Sequence, residues 1–449
     1  MARSIAGRTV SVSVSVSGDT RQRTDVTDRA TIWTIRLLIL AGVVREVLGQ
    51  TFLVSFGFYT LHIIDPVVVL AGFATLLNIG RRRPPFDLLT VTTLVMAVLI
   101  ISAAVRGLAV DPAGTLLNFR SNGANATVML MAVTMRPSRA ILVATERALV
   151  VSAVALIVLM LLRLATTPLL FMTYVISAAD VNDGGRALSV FGVFMMGLTA
   201  GILLSDLLRS GRLPLTWRTA LVGILPIMIV LSGQGTATLG SIMIVALVLL
   251  LERGPLRSVR LAAGSLAIIL GVSLAAINMA NLSDDPTLSH RMANLETRQL
   301  VWAALSEVWP TLPLGTQLFG YPGGATPPLL VYLNGALRYW GNSIHSMYYG
   351  ALPMMGYVGL GAYLLQLASM LGRMVVQKLG RSRDLMPAYP IACVVGVLIL
   401  SYTYEIRNEN LLALVIPIWW LRALPGLRRD AADRQRDVSE SRAAGADPA

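Results

Sequence analysis

Apolar residues in this chain come in long unbroken runs, not in the strict alternation of a half-buried strand. A helix needs about 20 such residues to cross a hydrocarbon core. On that measure the runs predict twelve spans, at 31–52, 59–80, 86–105, 115–135, 143–163, 187–207, 219–235, 236–252, 261–280, 346–371, 386–404 and 411–427. The pair within 219–252 is separated only by Ser232-Gly233-Gln234-Gly235-Thr236, read as a tight hairpin between two short helices. Arg45 and Glu46 fall inside the first span, an uncomfortable place for charge.

The polar remainder sets the domain plan. Residues 1–30, with the Ser-Val alternation of 11–17, read as a disordered tail, and 428–449 read as another. The expected layout is then 31–280 for spans one to nine, 281–345 for one large loop and 346–427 for spans ten to twelve. Within that loop the pattern predicts a helix from Leu288 to Trp309, a Pro/Gly-rich stretch from Pro310 to Pro328, and an aromatic-rich return over Val331–Ser346. No repeat of 20–50 residues is present.

Charge then orients the helices. Of 37 basic residues all but Lys378 are arginine. Arg81, Arg82 and Arg83 follow span two; Arg136 and Arg139 follow span four; Arg209, Arg212 and Arg218 follow span six. Arg253, Arg257 and Arg260 follow span eight, and Arg373, Lys378, Arg381 and Arg383 follow span ten. With twelve spans every cluster and both termini fall on one side, which the positive-inside rule makes the cytoplasm. The fold class expected is an all-α polytopic membrane protein with about twelve transmembrane helices, one large extracytoplasmic loop and both termini cytoplasmic.

Composition agrees. Charged residues make up 14% of the 449, hydrophobic ones 55%, and the mean hydropathy is +0.69. Too little charge is present to cover a water-facing surface, which excludes a soluble enzyme, a disordered protein and a nucleic-acid binder. The net charge of +13 is mostly topological. The lone Cys393 lies in an apolar run and reads as a small core residue, and residues 1–30 lack the apolar segment of a cleavable signal peptide.

Candidate chemistry sits where the topological bias is broken. Arg106, Arg120, Arg186, Arg291, Arg298, Arg338 and Arg407 fall on the face that should be poor in basic residues. Guanidinium forks match phosphate oxygens in pairs, so the set predicts a phosphate or pyrophosphate site. The plain alternative is that individual arginines reach lipid phosphates or pair with Asp111, Asp183 or Glu405. Arg298 stands out, because Arg291, Arg298, Trp302, Leu305 and Trp309 recur at spacings of seven, four, three and four. They form one helical stripe on which the two arginines stand roughly 10 Å apart. An amphipathic helix resting on the membrane surface is the competing reading of that stripe.

The chain has three histidines, His62, His290 and His345, and two fall in the long loop. His345 lies in Asn342-Ser343-Ile344-His345-Ser346-Met347-Tyr348-Tyr349, where it is either a proton acceptor or an interfacial polar residue. No Walker loop, His-Glu-x-x-His, Cys-x-x-Cys or Gly-x-Ser-x-Gly occurs, so no cofactor and no metal are expected. Charges within the spans are few, Glu46 and Asp65 being the exceptions, which disfavours an ion-coupled transporter.

Three landmarks of the loop resemble the O-antigen ligase and Wzy-type polysaccharide polymerase superfamily. Arg298-Gln299-Leu300-Val301-Trp302 looks like that family's Arg-x-x-x-Trp. Leu318-Phe319-Gly320-Tyr321-Pro322-Gly323-Gly324 is similar to its glycine turn. His345-Ser346-Met347-Tyr348, with Gly356-Tyr357-Val358-Gly359 after it, looks like its His-Asn-x-Tyr and Gly-x-x-Gly elements. The resemblance covers about 220–365 and reaches the N-terminal half only through topology. Two departures stand out: the hairpin at 232–236 lacks the family's arginine, a role open to Arg120, Arg186 or Arg407, and Ser346 replaces Asn.

The resemblance implies glycan transfer from an undecaprenyl-pyrophosphate donor at the outer face of a bacterial inner membrane, without nucleotide sugar or metal. His345 and Arg298 would be catalytic. Arg291, Arg298, Arg338, Arg120, Arg186 and Arg407 would be the pyrophosphate contacts, with Trp302, Gly320 and Tyr348 supporting the loop. A polymerase of repeat units for an exopolysaccharide, capsule or O-antigen is the first reading. The others are a ligase passing finished glycan to a lipid or protein acceptor, a lipid-linked oligosaccharide flippase or permease, and a polytopic scaffold. Expected partners are the lipid-linked oligosaccharide, membrane lipid, a chain-length regulator and export proteins, with no nucleic acid.

Overall fold

Most of the described length of each of the twelve apolar runs lies on a helix. The structure, a computed structural model, describes residues 26–48, 52–55, 60–81, 84–166, 188–210, 216–232, 235–254, 256–280, 286–325, 329–333, 336–339, 344, 346–380, 385–404 and 408–444. In chain order these form α1 (Val26–Leu48), β1 (Phe52–Ser55), β2 (Thr60–His62), α2 (Ile64–Arg81), α3 (Leu88–Leu108), α4 (Pro112–Thr134) and α5 (Arg139–Thr166). Then come α6 (Val190–Ser210), α7 (Trp217–Leu231), α8 (Gly235–Leu251), α9 (Arg257–Ala280), α10 (Pro286–Val308) with a 3-10 turn at Trp309–Thr311, and α11 (Leu314–Phe319). The chain continues with β3 (Leu330–Leu333), β4 (Ala336–Tyr339), α12 (Met347–Leu379), α13 (Tyr389–Thr403), a 3-10 turn at Asn408–Leu411 and α14 (Leu412–Ala444).

By length and composition, α2, α3, α5, α6 and α12 are long and apolar enough to cross a membrane, and α7, α13 and most of α8 are shorter apolar helices. The outward faces of α2, α3 and α5 show Val69, Leu76, Val98, Val105, Val151 and Leu162, all more than half exposed. Water penalises such a surface and lipid does not, as expected of a membrane protein. Threonines in the helices return their hydroxyls to the preceding turn, as Thr75 does to Ala71 and Thr93 to Leu89, so their polarity is satisfied locally.

Helix α6 is the hub, packed by α5, α7, α8 and α13, and most of its length is buried. Gly197 and Gly201 let α8 approach it closely. A Cβ at Gly197 would overlap Ser241, and one at Gly201 would stand 2.6 Å from Ile244 Cγ2. Charges that looked misplaced act as caps. The buried Glu46 carboxylate of α1 accepts the backbone N–H of Ser189 at 2.9 Å and of Gly192 at 3.2 Å, filling the open N-terminus of α6. Arg163 pairs with it at 3.9 Å. Asp65 likewise accepts the His62 N–H at 2.8 Å at the start of α2.

At one end of the bundle Asp87 caps α3 and accepts from Arg373 (2.5 Å) and Arg422 (2.7 and 2.9 Å). Burial opposes ionisation of that carboxyl, but the bonds from Arg422 and Arg373 outweigh it and draw its pKa from 3.8 down to about 2. Its stabilisation is complete above the ordinary aspartate range and is lost as the pH falls through about 2. The thermal-stability gap between wild type and Asp87→Asn should therefore be constant from pH 7 to 5 and narrow below pH 4. A gap that does not change between pH 5 and 2 would contradict the pairing.

The bundle is all-α, as expected, with two short antiparallel hairpins among the described residues, β1 with β2 and β3 with β4. The β3–β4 ladder ends on Leu333↔Ala336, so two residues connect the strands, and in sequence they are Asn334-Gly335, the strongest short hairpin signal. The N-terminal tail ends sooner than residue 30, since α1 begins at Val26; residues 1–25 lie outside the described residues. Helix α12 runs eight residues past the expected end at 371, to Leu379. Residues 428–444 are helical, not disordered. That stretch is rich in Ala and Arg, and Asp430 and Arg434 stand four apart, the spacing that supports a solvated helix.

Candidate functional site

The stripe on α10 is a core, not a membrane-facing edge. Val301, Trp302, Leu305 and Trp309 are buried together with Leu329, Ile344 and Leu352, an apolar cluster separate from that of the main bundle. Trp302 stacks on Tyr349 with centroids 5.2 Å apart and planes 4° from parallel, and meets Tyr402 edge-on at 5.3 Å. Its indole N–H donates to the carbonyl of Ile344 at 3.0 Å. Ile344 precedes His345 in the chain, and Ser346 follows it, buried, its hydroxyl donating to the Ser401 carbonyl at 3.3 Å. Tyr348 donates to the Leu398 carbonyl at 2.9 Å, and the Tyr363 hydroxyl lies 2.8 Å from Ser401 Oγ. The start of α12 is thereby fastened to the last turn of α13.

Arg298 lies one turn before Trp302 at the edge of this cluster. Its guanidinium sits 5.3 Å over the Tyr404 ring and donates to the Thr403 carbonyl at 3.3 Å. Only one of the fork's five donors is used among the described residues. The rest can take an anion, and the aromatic face under the cation fixes where it stands.

The glycine turn is held from three sides. Gly320 (φ +76°) and Gly356 (φ +65°, ψ −167°) adopt conformations that favour glycine, and each sits against the backbone of the residues just before the other. A Cβ on Gly320 would stand 2.7 Å from Pro353 O, and one on Gly356 would overlap the carbonyl of Leu318. Gly356 breaks α12 into two segments, and the Pro353 carbonyl at the break accepts the N–H of Tyr321 at 2.8 Å. Arg106 caps the end of α11, donating to the carbonyls of Gly320 and Phe319 at 3.1 Å each. Gly323 bonds to Ala103 (2.6 Å) and Thr115 (2.7 Å), which fixes the turn to the junction of α3 and α4.

The sequence-predicted residues divide accordingly. Arg298, Trp302 and Tyr348 converge at the junction of α10, α12 and α13, while Gly320 joins α12 one kink away. Arg120 stands apart, paired with Asp65 at 3.2 Å, the acid-pairing alternative open to any of these arginines. Arg291 lies on α10 and Arg338 on β4, but their side chains lie outside the described residues, as do Arg186, His345 and Arg407 altogether. Among the described residues, no three His, Cys, Asp or Glu side chains gather at metal-binding distance. Sequence reasoning missed Tyr349, Ser401, Tyr402 and Tyr404. The Tyr402-Thr403-Tyr404 run at the end of an apolar segment was the available signal, since aromatic residues gather at helix ends near an interface.

Nearby, between α3, α4 and α12, a small cavity of about 60 Å³ is lined by Met96, Met129, Met347, Met354 and Met355 with Asn122 and Gln366. The side-chain oxygens of Asn122 and Gln366 are buried without a partner among the described residues. No protein-family model matches the chain, and no curated protein matches it.

Proposed function

We propose that the protein is a membrane-embedded glycosyltransferase of the bacterial inner membrane, and specifically a polymerase of undecaprenyl-pyrophosphate-linked repeat units. In this reading all twelve apolar helices span, both termini are cytoplasmic, and α10, α11 and the β3–β4 hairpin form the outward-facing module. The observation that carries it is the convergence of landmarks far apart in sequence. The Arg298–Trp302 stripe docks through Trp302 on the residue next to His345, and the glycine turn docks on Gly356.

The chemistry follows from those residues. His345 accepts the proton of an acceptor sugar hydroxyl, whose oxygen bonds to the anomeric carbon of the donor glycan. The bond from that carbon to the pyrophosphate oxygen breaks, and the electron pair leaves with undecaprenyl pyrophosphate. Arg298 offsets the negative charge building on that leaving group, with Tyr404 and the Thr403 carbonyl holding the fork in place. Tyr402, half exposed beside Trp302, offers an apolar face to a sugar ring.

Replacing His345 or Arg298 with alanine at unchanged protein level tests the reading on the surface glycan. Each variant should lose about 10²–10⁴-fold in transfer rate, leaving single repeat units. Long chains stranded on the undecaprenyl carrier would make the enzyme a ligase. A normal chain-length distribution in both variants would overturn the catalytic assignment.

A further inference from the structure

Arginines from three clusters that the topological rule scatters over separate loops meet two more from α14 in one place. A cavity of about 770 Å³ opens among α1, α2, the α4–α5 connection, α12 and α14, walled by Arg81, Arg136, Arg373, Arg422 and Arg429. Asp28 is the one acid among the described residues of its lining. The site lies at the end of α3 marked by Asp87, whereas the loop module lies at the other end, against Ala103. The 16 residues from Asp87 to Ala103 put roughly 24 Å between them.

The cavity is built for an anion. Arg422 is 8% exposed, yet its Nε has no partner among the described residues. Its other nitrogens hold Asp87 and Thr90. Asp87 also serves Arg373, so one carboxylate faces two guanidinium groups. Asp28 accepts from the Ser138 hydroxyl at 2.7 Å, and Arg81 donates to the Thr27 hydroxyl at 3.2 Å. Arg136 and Arg429 are exposed at the mouth and make no bond to a described residue. Against five guanidinium groups stand two carboxylates, Asp28 and Asp87, so the space keeps an excess of positive charge, and guanidinium forks match phosphate oxygens in pairs.

We propose that this cavity binds a phosphate-bearing anion, held by Arg136, Arg429 and Arg422 at the face opposite the loop module. The volume suits a ligand of headgroup or nucleotide size. Leu421, Ala423 and Met135 in its wall suit the glycerol and first methylenes of a lipid. An anionic phospholipid headgroup and a soluble phosphate ester present the same chemistry, and the experiment separates them.

Full-length protein purified in neutral detergent is titrated with phosphatidylglycerol, phosphatidylcholine and inorganic pyrophosphate, and bound species are counted by native mass spectrometry. Arg136→Ala/Arg429→Ala removes two charges without touching a described bond, and the exposed pair Arg218→Ala/Arg257→Ala is the charge-matched control. Phosphatidylglycerol should bind at least tenfold more tightly than phosphatidylcholine, and the mouth variant should erase that preference while the control keeps it. Tight pyrophosphate binding lost in the mouth variant supports the site and identifies the soluble source. Pyrophosphate binding that survives in the mouth variant belongs elsewhere and, together with no lipid preference, overturns the proposal. Equal loss in the control overturns it as well.

Discussion

Lys378→Ala should be the most damaging single change in the bundle, lowering stability by about 3–5 kcal/mol. Lys378, the only lysine, is buried, and its ammonium lies 2.8 Å from Glu252 and 2.8 Å from the Met386 carbonyl. Glu252 also accepts the Ser205 hydroxyl at 2.5 Å and the Ala388 backbone N–H at 2.7 Å. Removing the lysine leaves a carboxylate buried beside neutral donors, unable to recover its hydration. The full cost falls on the helices it joins, α6, α8, α12 and the start of α13. A second variant separates lost charge balance from lost packing. Lys378→Met/Glu252→Gln removes both charges, keeps an oxygen for the Ala388 N–H and fills most of the lysine's volume. Thermal unfolding in detergent should show the double variant recovering most of the loss. If the double variant is no better than Lys378→Ala, the damage is packing and the ion-pair account fails.

Gly356→Ala should be next in size and confined to the loop module. At φ +65° and ψ −167° a side chain is strained by about 1–3 kcal/mol before any contact is considered. The added methyl would also stand 2.5 Å from Phe319 N, so the α11 turn must lift. Tyr321 then loses its bond to Pro353, and Arg106 its two carbonyls. Gly320→Ala attacks the same contact from the other side, so the two changes together should cost less than their sum. Gly361 on the same helix has open space around it and serves as the control. Limited proteolysis within 286–325 should be faster in Gly356→Ala and unchanged in Gly361→Ala. Equal protease resistance of all three proteins would show that the seat does not depend on these glycines.

The helices were legible because each buries or exposes a long apolar run, and hydropathy reports that directly. Long-range polar contacts were not. Glu46 reads as a fault in a span, since its use as a cap depends on Ser189 and Gly192, about 145 residues further on. The β3–β4 hairpin was legible in principle through Asn334-Gly335, but its apolar strands merge with the apolar re-entry that follows. In the site, spacing placed Arg298, Trp302 and Trp309 on one stripe and left open whether it faces lipid or packs. The structure packs it under Tyr349 and Tyr402, contributed by segments that spacing on α10 could not reach. The arginines of the second cavity were legible as topology alone, because which of them meet depends on how α2, α5, α12 and α14 are arranged.

The break in α12 has a bearing on biogenesis. Until Tyr321 arrives, the carbonyl of Pro353 has no donor, and until α12 and α13 are in place the loop has no floor. Segment 286–325 leaves the ribosome first, so it must wait, undocked, for about eighty further residues, to the end of α13 at Thr403. A chain halted before Met347 would carry every charged landmark of the α10 stripe and still present them on an unassembled surface. The module is completed by residues that follow it in the chain.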